Sequence, residues 1–187
     1  MIILASSSPR RKQIMEELGY PFTIIPSNND EIVDFNQEPS EVVKIISYNK
    51  AMDVFKNHED CIVIGSDTVC YKDRRILGKP KDFNDACEML RFMNNGTHYV
   101  YTGVSILKKG FVSTFYTVSA VTFKNLSEYD IINYVKTNEP FGKAGSYAIQ
   151  GLGRNFISSY EGSFYTIMGL PKEELEIELK KALDFTN

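Results

Sequence analysis

The sequence predicts an α/β protein with a mixed, twisted sheet and flanking helices. Two observations carry that prediction. Strand-length apolar runs alternate with helical stripes through the first half of the chain, which is the pattern of parallel strands joined by helices. Hairpin signals follow, with Lys72-Asp73-Arg74 and Lys108-Lys109-Gly110 each set between strand-like runs. The expected order is β-α-β-α-β-β-α-β-β-α-β-β-β-α.

Residues 2–6, IILAS, read as a buried strand. Ser8 is a natural N-cap for the next segment, and Pro9 suits a first helical turn. Ile14, Met15 and Leu18 form that helix's buried stripe, and Gly19 ends it. A strand that passes through a serine-rich turn into a helix N-terminus can bind an anion on its unpaired N–H groups. Arg10 and Arg11 stand in this first turn, where the helix dipole disfavours cations. An anion between them would offset that conflict; the alternative is a solvated pair.

PFTII at 21–25 reads as a second strand, and the loop at 26–31 ends in Asp30 and Glu31. A helix from about Ser40 to Asn57 places Val43, Ile46 and Val54 inward. Lys50 falls on the same stripe, so it either snorkels to an edge or enters a polar site. Ile62-Val63-Ile64 then reads as a buried strand that Gly65 and Ser66 break, with Asp67 at its exit. After a short apolar piece the 72–74 turn leads to a return strand, which ends in Gly78-Lys79-Pro80. Ligands of open α/β sheets bind beyond such strand ends.

Residues 83–95 form a helix in this reading, followed by two long strands, 99–107 and 111–123. Ser127-Glu128-Tyr129-Asp130 has nearly the form of a capping box opening a helix to about Lys136. Six of the twelve glycines lie in 140–171, which implies tight turns or close backbone approach there. Short strands are expected at 146–149, 156–160 and 164–167, with Gln150 at a strand end. A final helix from about Lys172 to Leu183 would bury Leu175, Leu179 and Leu183.

Composition narrows the function. A length of 187 residues implies one domain, 1–187, with or without two lobes. The net charge of −3 and the lack of a basic stripe argue against nucleic-acid binding. Cys61, Cys70 and Cys87 form no C-x-x-C pair and read as reduced core thiols, so a cytoplasmic location is expected. No signal peptide or membrane-spanning run is visible. Two histidines, neither near a G-x-S-x-G elbow, make zinc-protease and serine-triad chemistry poor fits.

The remaining candidates are the cations Arg10, Arg11, Lys50 and Lys79, the acids Glu31 and Asp67, and the polar Ser6 and Gln150. Four cations suit a polyphosphate, with arginine adding bidentate bonding. Two acids suit Mg²⁺, which takes one or two carboxylates alongside phosphate oxygens. These groups match the needs of phosphoryl transfer to water. No P-loop is present, and Gly65 occupies the place of the first acid of an aspartyl-phosphatase D-x-D.

Several short motifs in order resemble the Maf proteins, nucleoside triphosphate pyrophosphatases with an inosine-triphosphatase-like fold. They are LASSSPRR at 4–11, SNNDE at 27–31, the helix around Lys50-Ala51, IGSDTV at 64–69, LGKP at 77–80, THYVYTGV at 97–104, GKAGSYAIQG at 142–151 and EGSFYTIMGLP at 161–171. The resemblance implies a cleft between two lobes and cleavage between the α- and β-phosphates. It implies Asp67 as the catalytic acid, a proton acceptor, with Glu31 and Lys79 beside it. It carries over Ser6, Arg10, Arg11, Lys50 and Gln150 as substrate-binding residues. Asp67 and Glu31 are the expected holders of Mg²⁺ or Mn²⁺.

Arg10, Thr68 and Gln150 match positions tied to substrate choice, and the pattern looks like the branch acting on dTTP and UTP. The expectation extends to modified pyrimidine nucleotides and to a homodimer. Three positions depart from the family pattern: Gly142 stands for a usual Asp, Ala148 for Gly, and Phe164 for Tyr. The alternative function is a nucleotide-binding regulator of cell division and septum formation with little turnover.

Overall fold

The structure, a computed structural model, describes residues 1–28 and 37–186. Its elements are β1 (Ile2–Leu4), α1 (Pro9–Leu18), β2 (Phe22–Ile24), α2 (Pro39–Phe55), β3 (Ile62–Lys72), β4 (Arg75–Leu77), α3 (Phe83–Met93), β5 (Thr97–Lys108), β6 (Phe111–Phe123), α4 (Glu128–Lys136), β7 (Ile157–Glu161), α5 (Phe164–Met168) and α6 (Lys172–Asp184). Seven strands make one mixed sheet in the order β2-β1-β3-β5-β6-β7, with β4 paired to β3. Strand β1 runs parallel to both β2 and β3; β3–β4 and β6–β7 are antiparallel. The mixed α/β architecture is the one the sequence predicts. Among the described residues no helix is long and apolar enough to cross a membrane.

The chain divides into two compact units. Unit 1 holds Met1–Asp67, Thr102–Thr117 and Gly169–Asn187; unit 2 holds Thr68–Tyr101 and Val118–Met168.

In unit 1 the core cluster joins Ile3, Ala5 and Val63 of the sheet region to Ala51 and Val54 of α2, with Cys61 and Leu107. Two glycines set how closely α2 lies on the strands. A Cβ on Gly65 would stand 2.2 Å from the Ser47 carbonyl oxygen, and one on Gly103 would stand 2.3 Å from that of Val43. Real Cβ atoms do not come this near, so the helix backbone rests where side chains would otherwise be. This corrects the reading of Gly65-Ser66 as a strand break. Strand β3 runs unbroken from Ile62 to Lys72, and Asp67 lies within it rather than at its exit.

Helix α1 begins and ends as the sequence predicts, with Ser8 at the N-cap, Pro9 first, and Gly19 left-handed at φ 77°. Ser8 makes no side-chain cap bond. Instead its N–H donates to Ser6 Oγ at 3.2 Å. The last helix differs in one contact from its expectation. Leu175 and Leu179 are buried, but Leu183 is 42% exposed and Ala182 takes the inward place.

In unit 2 the β3–β4 turn holds Asp73 at φ 47° and Arg74 at φ 64°, the two positive values of a type I′ hairpin. Ser127 and Asp130 form the capping box of α4 through reciprocal bonds to the backbone. The glycine-rich region departs from the sequence reading. Tyr147–Ile149 are buried but form no strand, and Gln150 is exposed in a bend. Segment 164–167 belongs to a short helix because Ser163 caps it, with Oγ accepting Tyr165 N–H and the carbonyl accepting Ile167 N–H. That local cap outweighs the strand preference of Phe-Tyr-Thr-Ile. Of the three short strands expected there, β7 alone forms.

His98 is fully buried in unit 2, between Phe123 and Tyr147. Its Nε2 is 2.8 Å from the Tyr147 hydroxyl, and its Nδ1 has no hydrogen-bond partner. Burial, with Lys72 nearby, pushes its pKa down to about 3. An unfolded histidine titrates near 6.5. Between the two values the unfolded chain binds the extra proton, so stability is full above about 6.5 and falls as pH drops toward 3. The slope from this residue is at most about 1.4 kcal/mol per pH unit. Urea midpoints at pH 7, 5 and 4 should therefore fall more steeply for the wild type than for His98→Asn; parallel slopes would remove His98 as the cause.

Candidate active site

In unit 1 the site is built on both faces of β3. Side chains alternate along a strand, so Val63, Gly65 and Asp67 share one face. That is the face α2 covers. Val63 meets Ala51 and Val54 in the core cluster, and Gly65 lies under Ser47 and Ala51. Two residues on from Gly65, Asp67 meets Lys50, the residue before Ala51. Lys50 Nζ donates to Asp67 Oδ1 at 2.6 Å, with the side chains 13% and 6% exposed. The question the sequence left open for Lys50 is thereby answered. It enters a polar site rather than snorkelling away.

Taking this pair out of water has a cost that close contact offsets only in part. An ion pair in such a place is poor evidence of stability.

The opposite face of β3 carries Ser66. Its hydroxyl, fully buried, donates to the Gly169 carbonyl at 2.9 Å. Arg11 Nε donates to the same carbonyl at 2.8 Å, and Arg11 Nη1 donates to Ser6 Oγ at 3.3 Å. Ser6 also receives the N–H of Ser8. The loop after β1, the first turn of α1 and the start of the last segment are thus tied together. Arg11 is not a freely solvated cation, because its guanidinium is oriented by protein oxygens. Arg10 beside it is partly exposed.

Sequence reasoning missed Ser66 and Gly169. In sequence Ser66 reads as half of a strand break, and the carbonyl of Gly169 has no side-chain signature. Asp53 was missed as well. One helical turn after Lys50, its carboxylate accepts from Ser27 Oγ at 3.1 Å and Asn28 N–H at 2.9 Å. Glu31 lies outside the described residues.

Unit 2 holds Thr68, Lys79 and Gln150. Thr68 follows Asp67 in β3 and turns to the other face. Lys79 is exposed between Gly78 and the buried Pro80. The Gly78 carbonyl accepts the N–H of Gly145 at 3.0 Å, so the segment bearing Lys79 is tied to the glycine-rich loop that leads to Gln150. Cys70 supports the same loop: its thiol is 3.6 Å from the Ala144 carbonyl, and burial pushes the thiol up to about 12. It is a packed, unreactive cysteine. Gly142, at the family's usual Asp position, has φ 76° and open space where a Cβ would stand.

Among the described residues no group of three or more His, Cys, Asp or Glu is arranged to hold a metal. Asp67 offers a hard carboxylate oxygen, the donor type Mg²⁺ takes in ones and twos alongside substrate phosphates. In that sense the residue present fits the expected ion.

A model of the family described as Maf-like protein matches residues 1–182. A dTTP/UTP pyrophosphatase of Bacillus cytotoxicus is 44% identical over 179 residues, 96% of this chain and 94% of that protein. One of Bacillus cereus is 45% identical over 180 residues with the same coverage. The Ham1 protein of Staphylococcus aureus superposes with a TM-score of 0.50 at 13% identity, covering 97% of this chain and 96% of that one. This likeness bears out the inosine-triphosphatase-like fold expected of a mixed sheet with flanking helices; at that identity it speaks for the fold alone.

Proposed function

The chain belongs to the Maf family, and on that premise we propose that it hydrolyses dTTP and UTP to the nucleoside monophosphate and pyrophosphate. The carrying observation is the Lys50–Asp67 pair at 2.6 Å on the helix-covered face of β3. An acid fixed in orientation by one oxygen can accept a proton on the other. Relatives bearing the dTTP/UTP pyrophosphatase name across nearly the whole chain support the substrate class.

In the proposed reaction a water oxygen attacks the α-phosphorus. The bond from that phosphorus to the bridging oxygen breaks, and pyrophosphate leaves. Asp67 takes the proton lost by the water. Lys50 orients Asp67 and lends positive charge near the phosphates, as do Arg10 and Arg11. Ser6 positions Arg11. Lys79 is assigned to phosphate, and Thr68 and Gln150 to the base. Glu31 completes the acids in this proposal. Asp67 and Glu31 would hold Mg²⁺ or Mn²⁺, and the ion would supply charge neutralisation at the phosphate oxygens. The enzyme is proposed to work in the cytoplasm as a homodimer, with modified pyrimidine nucleotides within its range.

The test is a nucleotide panel with Mg²⁺. The kcat/KM values for dTTP and UTP should exceed those for ATP and GTP by about tenfold or more. Excess EDTA should abolish turnover, and added Mg²⁺ should restore it. A flat profile, or preference for 7-methyl-GTP, would overturn the substrate assignment.

A further inference from the structure

Glu139 of unit 2 stands just after α4 and was not among the residues the sequence singled out. Its carboxylate is the acceptor around which the glycine-rich loop is built. Oε2 accepts the N–H of Leu152 at 2.9 Å, and Oε1 accepts that of Gly153 at 2.9 Å. Oε1 also accepts the Tyr134 hydroxyl at 2.9 Å. Lys143 Nζ donates to the Glu139 backbone carbonyl, closing the same loop from its other end.

Between these bonds lies Gly151, with φ 146°. A Cβ there would stand 2.8 Å from each carboxylate oxygen. Glycine is therefore required twice at this position, for its backbone angle and for the carboxylate's approach. Burial alone would raise the Glu139 pKa, yet the N–H groups of Gly153 and Leu152 and the Tyr134 hydroxyl hold it below the ordinary carboxylate range. The group accepts these bonds as an anion, and charge-assisted bonds are the stronger kind.

Gln150 is the residue immediately before Gly151. Tyr147–Ile149 on its other side are buried without forming a strand. No ladder of strand bonds is therefore available at 147–149 to fix the backbone that carries Gln150. The bonds to Glu139 fix the chain on the far side of Gln150, at Leu152 and Gly153.

We infer that Glu139 is a positioning residue for base selection: it holds residues 151–153 so that Gln150 meets the base from one fixed backbone position. The inference rests on the functional reading above, in which Gln150 faces the base. A side-chain amide has an NH₂ donor end and a carbonyl acceptor end. These match the O4 acceptor and N3–H donor of uracil or thymine. Cytosine inverts both, so a Gln150 held in place to match uracil or thymine disfavours it, and a loop that lets Gln150 shift weakens that discrimination.

The experiment compares wild type, Glu139→Gln and Tyr134→Phe. Glutamine keeps the length but replaces one accepting oxygen with an NH₂ group, so one backbone N–H loses its acceptor. The preference for UTP over CTP, as a ratio of kcat/KM, should fall about tenfold in Glu139→Gln, mainly through a higher KM for UTP. Tyr134→Phe keeps both backbone bonds and should shift the ratio less than threefold. Hydrogen exchange read by mass spectrometry should show faster exchange in the peptide covering 150–156 of Glu139→Gln, with β5 peptides unchanged.

An unchanged UTP/CTP ratio with unchanged exchange at 150–156 would overturn the inference. So would a change confined to thermal stability. A wild type that turns over neither dTTP nor UTP would instead overturn the functional reading and with it the selectivity role. The exchange measurement would then still decide whether Glu139 anchors the loop.

Discussion

Asp67→Asn is expected to lower kcat by a factor of about 10² or more, with a smaller change in KM. Asparagine keeps the shape and the acceptor toward Lys50 but cannot take a proton from water. The fold should survive, because the amide oxygen can still receive the Lys50 ammonium at the place now occupied by Oδ1. Lys50→Met makes the complementary case. It leaves the Asp67 carboxylate, 6% exposed, buried without its ammonium partner, and breaking such a pair costs roughly 3 kcal/mol. Asp67→Asn added to Lys50→Met should recover much of that stability while remaining inactive. Steady-state kinetics and urea unfolding on the three variants would check this. Near-wild-type turnover in Asp67→Asn would remove the residue from the chemistry. A nucleotide-binding regulator with little turnover would show a phenotype that survives the same substitution.

The second large effect is on packing. Gly65→Ala and Gly103→Ala should each destabilise the protein by about 3 kcal/mol, through overpacking between helix and sheet. The new Cβ at Gly65 would meet the Ser47 carbonyl oxygen at 2.2 Å and the Ala51 nitrogen at 2.7 Å, and backbone cannot rotate aside as a side chain can. Helix α2 must then lift from β3. Because Lys50 adjoins Ala51, Gly65→Ala should also lower activity by loosening the contact with Asp67. Gly78→Ala is the control, since no atom lies within 4 Å of its Cβ position. It should change stability by less than about 0.5 kcal/mol. Equal urea midpoints for all three variants would refute the close-approach argument.

What was legible in the sequence followed from local chemistry. Pro9 and Gly19 mark the ends of α1, and Ser127 with Asp130 marks the start of α4, because caps are satisfied within a few residues. The two hairpins were visible in their turns for the same reason. What was not legible depends on distant partners. Gly65 has the look of a strand break until α2 is seen to lie over it. Lys50 on an apolar stripe is ambiguous until Asp67 is found beside it. Residues 146–149 read as a strand in sequence, but they are buried without strand pairing, beside a turn tied to the distant Gly78 carbonyl through the N–H of Gly145. Segment 164–167 has strand-forming side chains and a helix cap just before it, and the cap prevails. Leu183 reads as inward with Leu175 and Leu179 at four-residue steps, whereas α6 turns the small Ala182 to the core instead.

The site divides in the same way. Ser6, Arg11, Lys50 and Asp67 were nominated by charge, position and resemblance, and unit 1 links them in two bonded groups: Lys50 with Asp67, and Arg11 with Ser6. Ser66, whose hydroxyl shares the Gly169 carbonyl with Arg11, could be found only in three dimensions.

Hydrolysis of UTP in ¹⁸O-labelled water, with both products analysed by mass spectrometry, tests the central claim most directly. Attack at the α-phosphorus predicts UMP and pyrophosphate in equal amounts, with the label in UMP and none in pyrophosphate. Label in pyrophosphate would place the attack on the β-phosphorus, and release of UDP with orthophosphate would place the cleavage at the wrong bond. Either result would contradict the account.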